Sequence, residues 1–374
     1  MIYYKNIVNK ISIPNTKKTK QKEYLETGNL PIIDQGKVLV GGYSNDVSNM
    51  LDCKLPVIIF GDHTKCVKLI NFPFGAGADG IKVLQPKEGL SASFLYYATY
   101  YLTFLIEDKG YARHYQQIEK CKVSIPLPSE QISLVNRIEE LFSELDKGVE
   151  TLMTIKKQLE VYRQAVLKEA FSQIENKKKI REMSCFVTSG SRGWAKYYSD
   201  QGSLFIRIGN LTHTTIDIIL DETQYVKLPE KAEGIRSRLQ PNDILVSITA
   251  DLGSIGLVPE NIEEAYINQH IAMIRLKNPS QGKLVAWYLR SEYGQKDLLK
   301  NKRGAGKFGL GLDDIRNSEV PNISEHEAVL IVKKIEMQLS VCDRISHTIN
   351  TAFGQADAMR KSILKHTFEG TLSL

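Results

Sequence analysis

Two glycine strings, Gly75–Gly80 and Gly304–Gly309, have G-x-G-x-x-G spacing. Between a strand and a helix, that spacing lets backbone amides close on a pyrophosphate. Here the context is missing. GAGADG runs into the strand-like IKVL, with no acidic residue at the distance a βαβ unit requires. GAGKFG lies in a basic loop, and Lys307 is followed by Phe308 where a P-loop has Ser or Thr. Gly61-Asp62-His63-Thr64 sets a carboxylate beside an imidazole, the ingredients of an acid–base or metal site. Adjacent strand residues point to opposite faces, however, and no further His or carboxylate is spaced to complete a ligand set. No Asn-Pro-Pro-Tyr-like methyltransferase motif occurs. The five cysteines lie far apart and never form C-x-x-C, so neither a zinc knuckle nor a disulfide framework is expected, and a reducing cytoplasm fits.

The remaining chemistry is that of polyanion binding. The formal charge is only +6, but the cations cluster: Lys17, Lys18, Lys20 and Lys22; Lys177–Lys179 with Arg181; Lys300, Lys302, Arg303 and Lys307. Such clusters neutralise phosphates and release counterions. Base edges call for other groups, with Arg or Lys suited to guanine and Asn or Gln to adenine. In loops of the first half, the candidates are Gln35, Tyr43, His63, Lys65, Arg113 and His114, beside Lys17, Lys18 and Lys20. In the second half they are Arg192, Lys196, Arg207, Asn210, Thr249, Asn268, Gln269, Arg303 and Lys307. Tyr96, Tyr97, Tyr100 and Trp287 have helical spacing and are expected in the core rather than as stacking platforms.

These loops must be positioned by something, and the chain supplies it twice. SEQISLVNRIEELFSELDKGVETLMTIKKQLEVYRQAVLKEAF and HEAVLIVKKIEMQLSVCDRISHTINTAFGQADAMRKSILKHTF align without a gap at an offset of 197 residues. Identities include Asp146/Asp343, Arg163/Arg360, Leu167/Leu364 and Phe171/Phe368. Both are free of proline and carry heptads: Val135, Phe142 and Val149 at a, with Ile138, Leu145, Leu152, Leu159 and Val166 at d. The second copy has Val332, Leu339, Ser346 and Phe353 at a, and Ile335, Cys342, Ile349, Ala356 and Ile363 at d. Two long helices are expected, each entered through a proline and an N-cap serine three residues later (Pro126 and Ser129; Pro321 and Ser324). Pairing them antiparallel within one chain buries both stripes and makes a ruler.

The intervening segments share an order. Short β-like runs (LPIID, KVLVGGY, LPVIIFGD, GIKVL; then SLFIRIGN, IDIIL, NDILVSIT, GSIGLV, QHIAMIRL) precede an aromatic helix, SASFLYYATYYLTFLIE or GKLVAWYLRSEYGQKDLLK. The expected architecture is α+β: two tandem mixed domains, 1–127 and 176–320, separated by long antiparallel coiled-coil helices, 128–175 and 321–374. No apolar run approaches the ~18 residues of a membrane span, and the first residues have no signal-peptide apolar region with a cleavage site. A cytoplasmic protein with no membrane partner is expected.

At this level of detail the chain resembles the specificity subunits of type I restriction–modification systems over nearly its full length. The matching elements are Asp34–Tyr43, Phe60–Thr64 and Gly77–Gly80, then Gly193–Tyr198, Phe205–Asn210, Asn242–Leu245 and Ile267–His270. Their order, with the helical repeat, carries the resemblance. It implies two target-recognition domains, each reading one half of a bipartite asymmetric site in double-stranded DNA, with helices that set the spacing. It also implies two methyltransferase subunits as partners, and restriction subunits in the nuclease form. The chain itself is then non-catalytic and cofactor-free, with S-adenosylmethionine, ATP and Mg²⁺ on its partners. The rival readings are a stand-alone DNA methyltransferase or endonuclease, and a coiled-coil scaffold that binds no nucleic acid.

Overall fold

The computed structural model describes residues 1–77, 80–107, 110, 113–228, 235–300, 302–303 and 308–370. The chain divides into two compact units: residues 1–153 with 349–374, and residues 154–348.

Beside a short pair, Ile2–Tyr3 with Lys122–Val123, the first unit has strands β1 (Val8–Ile11), β2 (Lys18–Thr19), β3 (Leu30–Ile33), β4 (Gly42–Ser44), β5 (Val57–Gly61), β6 (Val67–Ile70), β7 (Gly75–Gly77) and β8 (Ile81–Pro86). They form two four-stranded sheets, β1-β8-β5-β6, antiparallel throughout, and β2-β7-β3-β4. In the second sheet β7 runs parallel to both β2 and β3. The VIIFG run of β5 is buried on both faces because alternate residues point opposite ways. Ile58 and Phe60 pack with Phe94 and Leu95 of helix α1 (Ala92–Leu102), while Val57 and Ile59 pack with Ile33, Phe74 and Ala76 of the smaller sheet. Tyr97 is buried as expected, Tyr96 and Tyr100 are half-buried, and burial pushes the Tyr97 phenol up to about 12. Helix α2 (Pro128–Phe171) follows.

Beside a short pair, Lys177–Lys179 with Glu319–Pro321, the second unit has strands β9 (Ser184–Ser189), β10 (Tyr198–Ser199), β11 (Ser203–Ile206), β12 (Gln224–Val226), β13 (Ile244–Ser247), β14 (Ile255–Leu257), β15 (Ala265–Ile267) and β16 (Ile271–Leu276). The larger sheet, β9-β16-β13-β14, repeats the topology of its counterpart: first strand, last strand, then a hairpin. The smaller sheet is β10-β12-β11-β15, with β11 and β15 parallel. Here too the central strand feeds two cores. Ile244 and Val246 face Leu284, Val285 and Leu289 of helix α3 (Gly282–Arg290), and Leu245 faces Leu204, Ile206 and Ile267. Helices α4 (Glu292–Leu299) and α5 (Glu325–Phe368) complete the elements used below.

Four expectations are corrected. KVLV in the first half is an exposed bend, since Lys37–Leu39 face solvent and only Gly42–Ser44 pairs. IDIIL forms no strand: Ile216 is buried, but Ile219 and Leu220 face solvent. The single aromatic helix expected at 282–300 is two helices, broken at Ser291, whose Oγ accepts from Gly294 N (3.4 Å) and caps the second. Helix α2 starts at Pro128, so Ser129 lies inside its first turn. Pro128 occupies the position where a missing N–H costs nothing, and Glu130 accepts from Leu127 N at 2.9 Å. Ser324 does cap α5, in a reciprocal box with Glu327 (3.1 and 3.3 Å).

Every heptad position named above is buried or half-buried. Within the first unit, Val135, Ile138 and Phe142 of α2 share a core with Leu364 of α5; Phe368 stacks on Tyr101, and Arg360 pairs with Asp146. Within the second, Val166, Leu167 and Phe171 share a core with Ile335 and Leu339, Lys334 meets Glu169 at 2.7 Å, and Arg163 pairs with Asp343. In each unit the contacting numbers rise on one helix as they fall on the other, so the segments are antiparallel. Both Asp–Arg pairs join one repeat copy to the other, with the partners exchanged.

Candidate nucleic-acid interface

In the first unit, the β5–β6 turn is held from three sides. Asp62 is buried; its Oδ1 accepts from Tyr115 N (2.8 Å), and its Oδ2 pairs with Lys82 Nζ (3.1 Å). The Asp62 carbonyl accepts from His114 N (2.9 Å) and meets the His114 ring at 2.9 Å. Thr64 Oγ1 donates to the Gln35 carbonyl (2.6 Å), and His63 N to Gln35 Oε1 (3.3 Å). A Cβ at Gly80, where φ is +76°, would stand 2.6 Å from Gln35 Oε1. Buried Lys68 ties the base of the 34–41 loop by donating to the Asp34 carbonyl at 2.8 Å, and desolvation pulls its pKa below the usual lysine range.

Gln35, His63 and Lys65 are therefore brought together, but His114 is not a surface reader. Its ring is fully buried and braces the turn. Arg113 beside it is exposed. Lys17, Lys18 and Lys20 lie in and beside edge strand β2, across the smaller sheet from Tyr43 on edge strand β4, and Lys17 Nζ donates to the Met50 carbonyl at 3.0 Å.

In the second unit, Arg192, Lys196, Thr249 and Gln269 line a single cleft of about 590 Å³, together with Arg236, Trp194 and Tyr197. Trp194 is buried against Phe205 and Tyr266 and so anchors the loop that carries the two outer cations. Gly190 lets that loop close on β15, since a Cβ there would fall 1.9 Å from the Ile267 carbonyl oxygen. The corner Asn268-Gln269-His270 joins β15 to β16. His270 Nδ1 stands 2.6 Å from Thr249 Oγ1, and its Nε2 stands 2.7 Å from Gln269 Nε2. Arg236 Nε donates to Thr188 Oγ1 at 3.3 Å.

Arg207 and Asn268 line a separate hollow of about 550 Å³ whose wall includes Asp221 and Glu222, an unfavourable setting for phosphate. Asn210 is corrected to a strut: it is buried, its Oδ1 accepts from Arg207 N (2.8 Å), and its Nδ2 donates to the Ile219 carbonyl (2.7 Å). Arg303 is largely exposed, with Asp314 at 3.5 Å, and its backbone pairs with Gly309, which also bridges to Thr249. Lys307 lies outside the described residues.

One constellation invites a catalytic reading and fails it. His213 Nε2 meets Asp251 Oδ1 (2.7 Å) and Ser254 Oγ (3.0 Å). A nucleophile relay needs the carboxylate and the hydroxyl on different ring nitrogens; here both share one. Among the described residues, no group of three or more side chains is arranged to hold a metal, and no helix is long and apolar enough to cross a membrane.

Over 347 residues the chain is 27% identical to the type I restriction enzyme EcoR124I/EcoR124II specificity subunit of Escherichia coli, covering 86% of this chain and 83% of that one. It is 25% identical over 283 residues to the EcoBI specificity subunit of the same species, covering 67% of this chain and 58% of that protein. Its relatives are type I restriction specificity subunits. The α+β fold accords with this: a chain solved in work on complex assembly and conformational transition of the type I R-M system superposes with a TM-score of 0.69 at 15% identity, over 99% of this chain and 97% of that one. No family profile matches. The likeness bears out the resemblance drawn from the motifs.

Two residues at or beside the cleft were not reached by sequence reading. Arg236 and His270 were absent from the candidates; His270 stood inside the Ile267–His270 motif, and that was its only signal. With Arg192 and Lys196 as phosphate ligands, Arg192→Ala with Lys196→Ala is expected to weaken binding to all DNA sequences alike. It should also flatten the log–log salt dependence by about 2, about one per cation. A salt titration of binding checks this; an unchanged slope would place both cations off the DNA.

Proposed function

We propose that this chain is the DNA sequence-recognition subunit of a type I restriction–modification complex. Each unit reads one half of a bipartite, asymmetric site, and α2 and α5 set the separation and dock two methyltransferase subunits. The chain is non-catalytic: S-adenosylmethionine, ATP and Mg²⁺ act on partner subunits, including restriction subunits where the nuclease form assembles, in the cytoplasm where the DNA lies. The observation that carries this reading is the doubled architecture, two units whose larger sheets share one topology and whose helices are a repeat, in a chain whose relatives are specificity subunits. Two diverged copies suit two different half-sites.

The test is to co-express the chain with its methyltransferase partner in a host free of adenine methylation and to map the methylated sites. A split motif with a fixed gap is expected. Exchanging residues 176–320 for those of another specificity subunit should replace one half of that motif and leave the other intact. Changes in both halves would reject independent readers. Methylation or cleavage by the purified chain alone would point to a stand-alone enzyme, and absence of sequence-selective binding in the complex to a scaffold.

A further inference from the structure

Thr249 and Gln269 line the cleft of the second unit, and one ring, that of His270, bonds to both. The backbone of that ring is fixed: its N–H donates to Asn268 Oδ1 (3.1 Å), and its carbonyl accepts from Ile248 N (2.9 Å). A neutral imidazole has one N–H and one lone pair. With the Gln269 amide nitrogen donating to Nε2, the ring proton sits on Nδ1 and is donated to Thr249 Oγ1. Thr249 then keeps its O–H for another acceptor, and Gln269 keeps its carbonyl and one N–H. The opposite tautomer reverses every role. Thr249 donates inward and offers only lone pairs, while Gln269 turns its carbonyl to the ring and offers its amide hydrogens.

We propose that His270 is a positioning residue that couples Thr249 and Gln269, so that the pair meets DNA base edges as one donor–acceptor unit rather than as two independent contacts. This rests on the reading of the cleft as a base-contacting site. It differs from a packing role in what it does to sequence preference, because loss of packing weakens all sequences equally.

The experiment maps methylated sites for the complex carrying Thr249→Val, Gln269→Leu, the double variant, and His270→Phe, which keeps the ring's bulk and removes both bonds. Thr249→Val and Gln269→Leu are expected to relax preference by about tenfold at overlapping positions of one half-site, with the double variant little worse than either single. His270→Phe should relax the same positions, leave the other half-site unchanged, and make the two neighbours' effects independent. Should His270→Phe fail to accumulate, His270→Leu, which likewise removes both bonds, answers the same question. Intact preference in the His270 variant, or a uniform loss over all sequences, would overturn the coupling while the cleft reading stands. If neither Thr249→Val nor Gln269→Leu shifts preference, the cleft reading itself fails and the coupling with it.

Discussion

Deleting one heptad from each long helix, residues 149–155 and 346–352, is expected to abolish methylation of the parental site. Any residual activity should move to sites whose gap is about three base pairs shorter. Seven residues shorten a helix by about 10.5 Å, and one base pair rises ~3.4 Å. The two deletions are related by the 197-residue offset, so both heptad stripes keep their register. What is lost is simultaneous engagement of both half-sites, worth roughly 10²- to 10⁴-fold when two modules act through one connector. Site mapping reads the result directly. An unchanged gap would mean that the helices do not measure distance.

Asp243→Ala is expected to destabilise the second unit by about 3 kcal/mol, the low end of the range for breaking a buried ion pair, because Arg275 is 23% exposed. Asp243 is 1% exposed and receives Arg275 Nε at 2.8 Å, Arg275 Nη2 at 2.6 Å and Gln240 N at 2.7 Å. Burial pushes its carboxyl above the usual range and Arg275 draws it only part of the way back, and removing one member strands the other. For a unit of this size the melting midpoint should fall by roughly 6–12 °C. Thermal unfolding followed with Asp243→Asn alongside separates lost charge from lost hydrogen bonding; a shift under 2 °C would show that Arg275 finds another partner or water.

The helices were legible because their signal is long and redundant. Forty residues of heptad, twice over at a fixed offset, leave few alternatives, and Val135, Ile138, Ile335 and Leu339 are all buried where the pattern puts them. Strands with a continuous apolar run, such as VIIFG and IAMIRL, were legible for the same reason. The site was less so. Gly61-Asp62-His63-Thr64 and Ile208-Gly209-Asn210 look alike as polar residues beside a glycine turn. Yet the turn holds Asp62 buried and His63 half-exposed, and Asn210 spends its amide on backbone groups. A polar side chain beside a turn can read a ligand or brace the turn, and local sequence is the same for both. The cleft combines residues from five separated stretches, and no spacing rule joins them.

The first unit is assembled from two stretches of chain, the second from one. Leu364 is fully buried in the first unit's core, and Phe368 stacks on Tyr101. On a ribosome adding ~5–20 residues per second, residues 1–153 wait through about 195 more, on the order of 10–40 s, before residue 349 is made. Until then Tyr101 and the stripe of Val135 and Ile138 have no closing strand of helix. The first unit is thus completed after the second, and a lesion within residues 349–368 is a lesion of the unit that begins the chain.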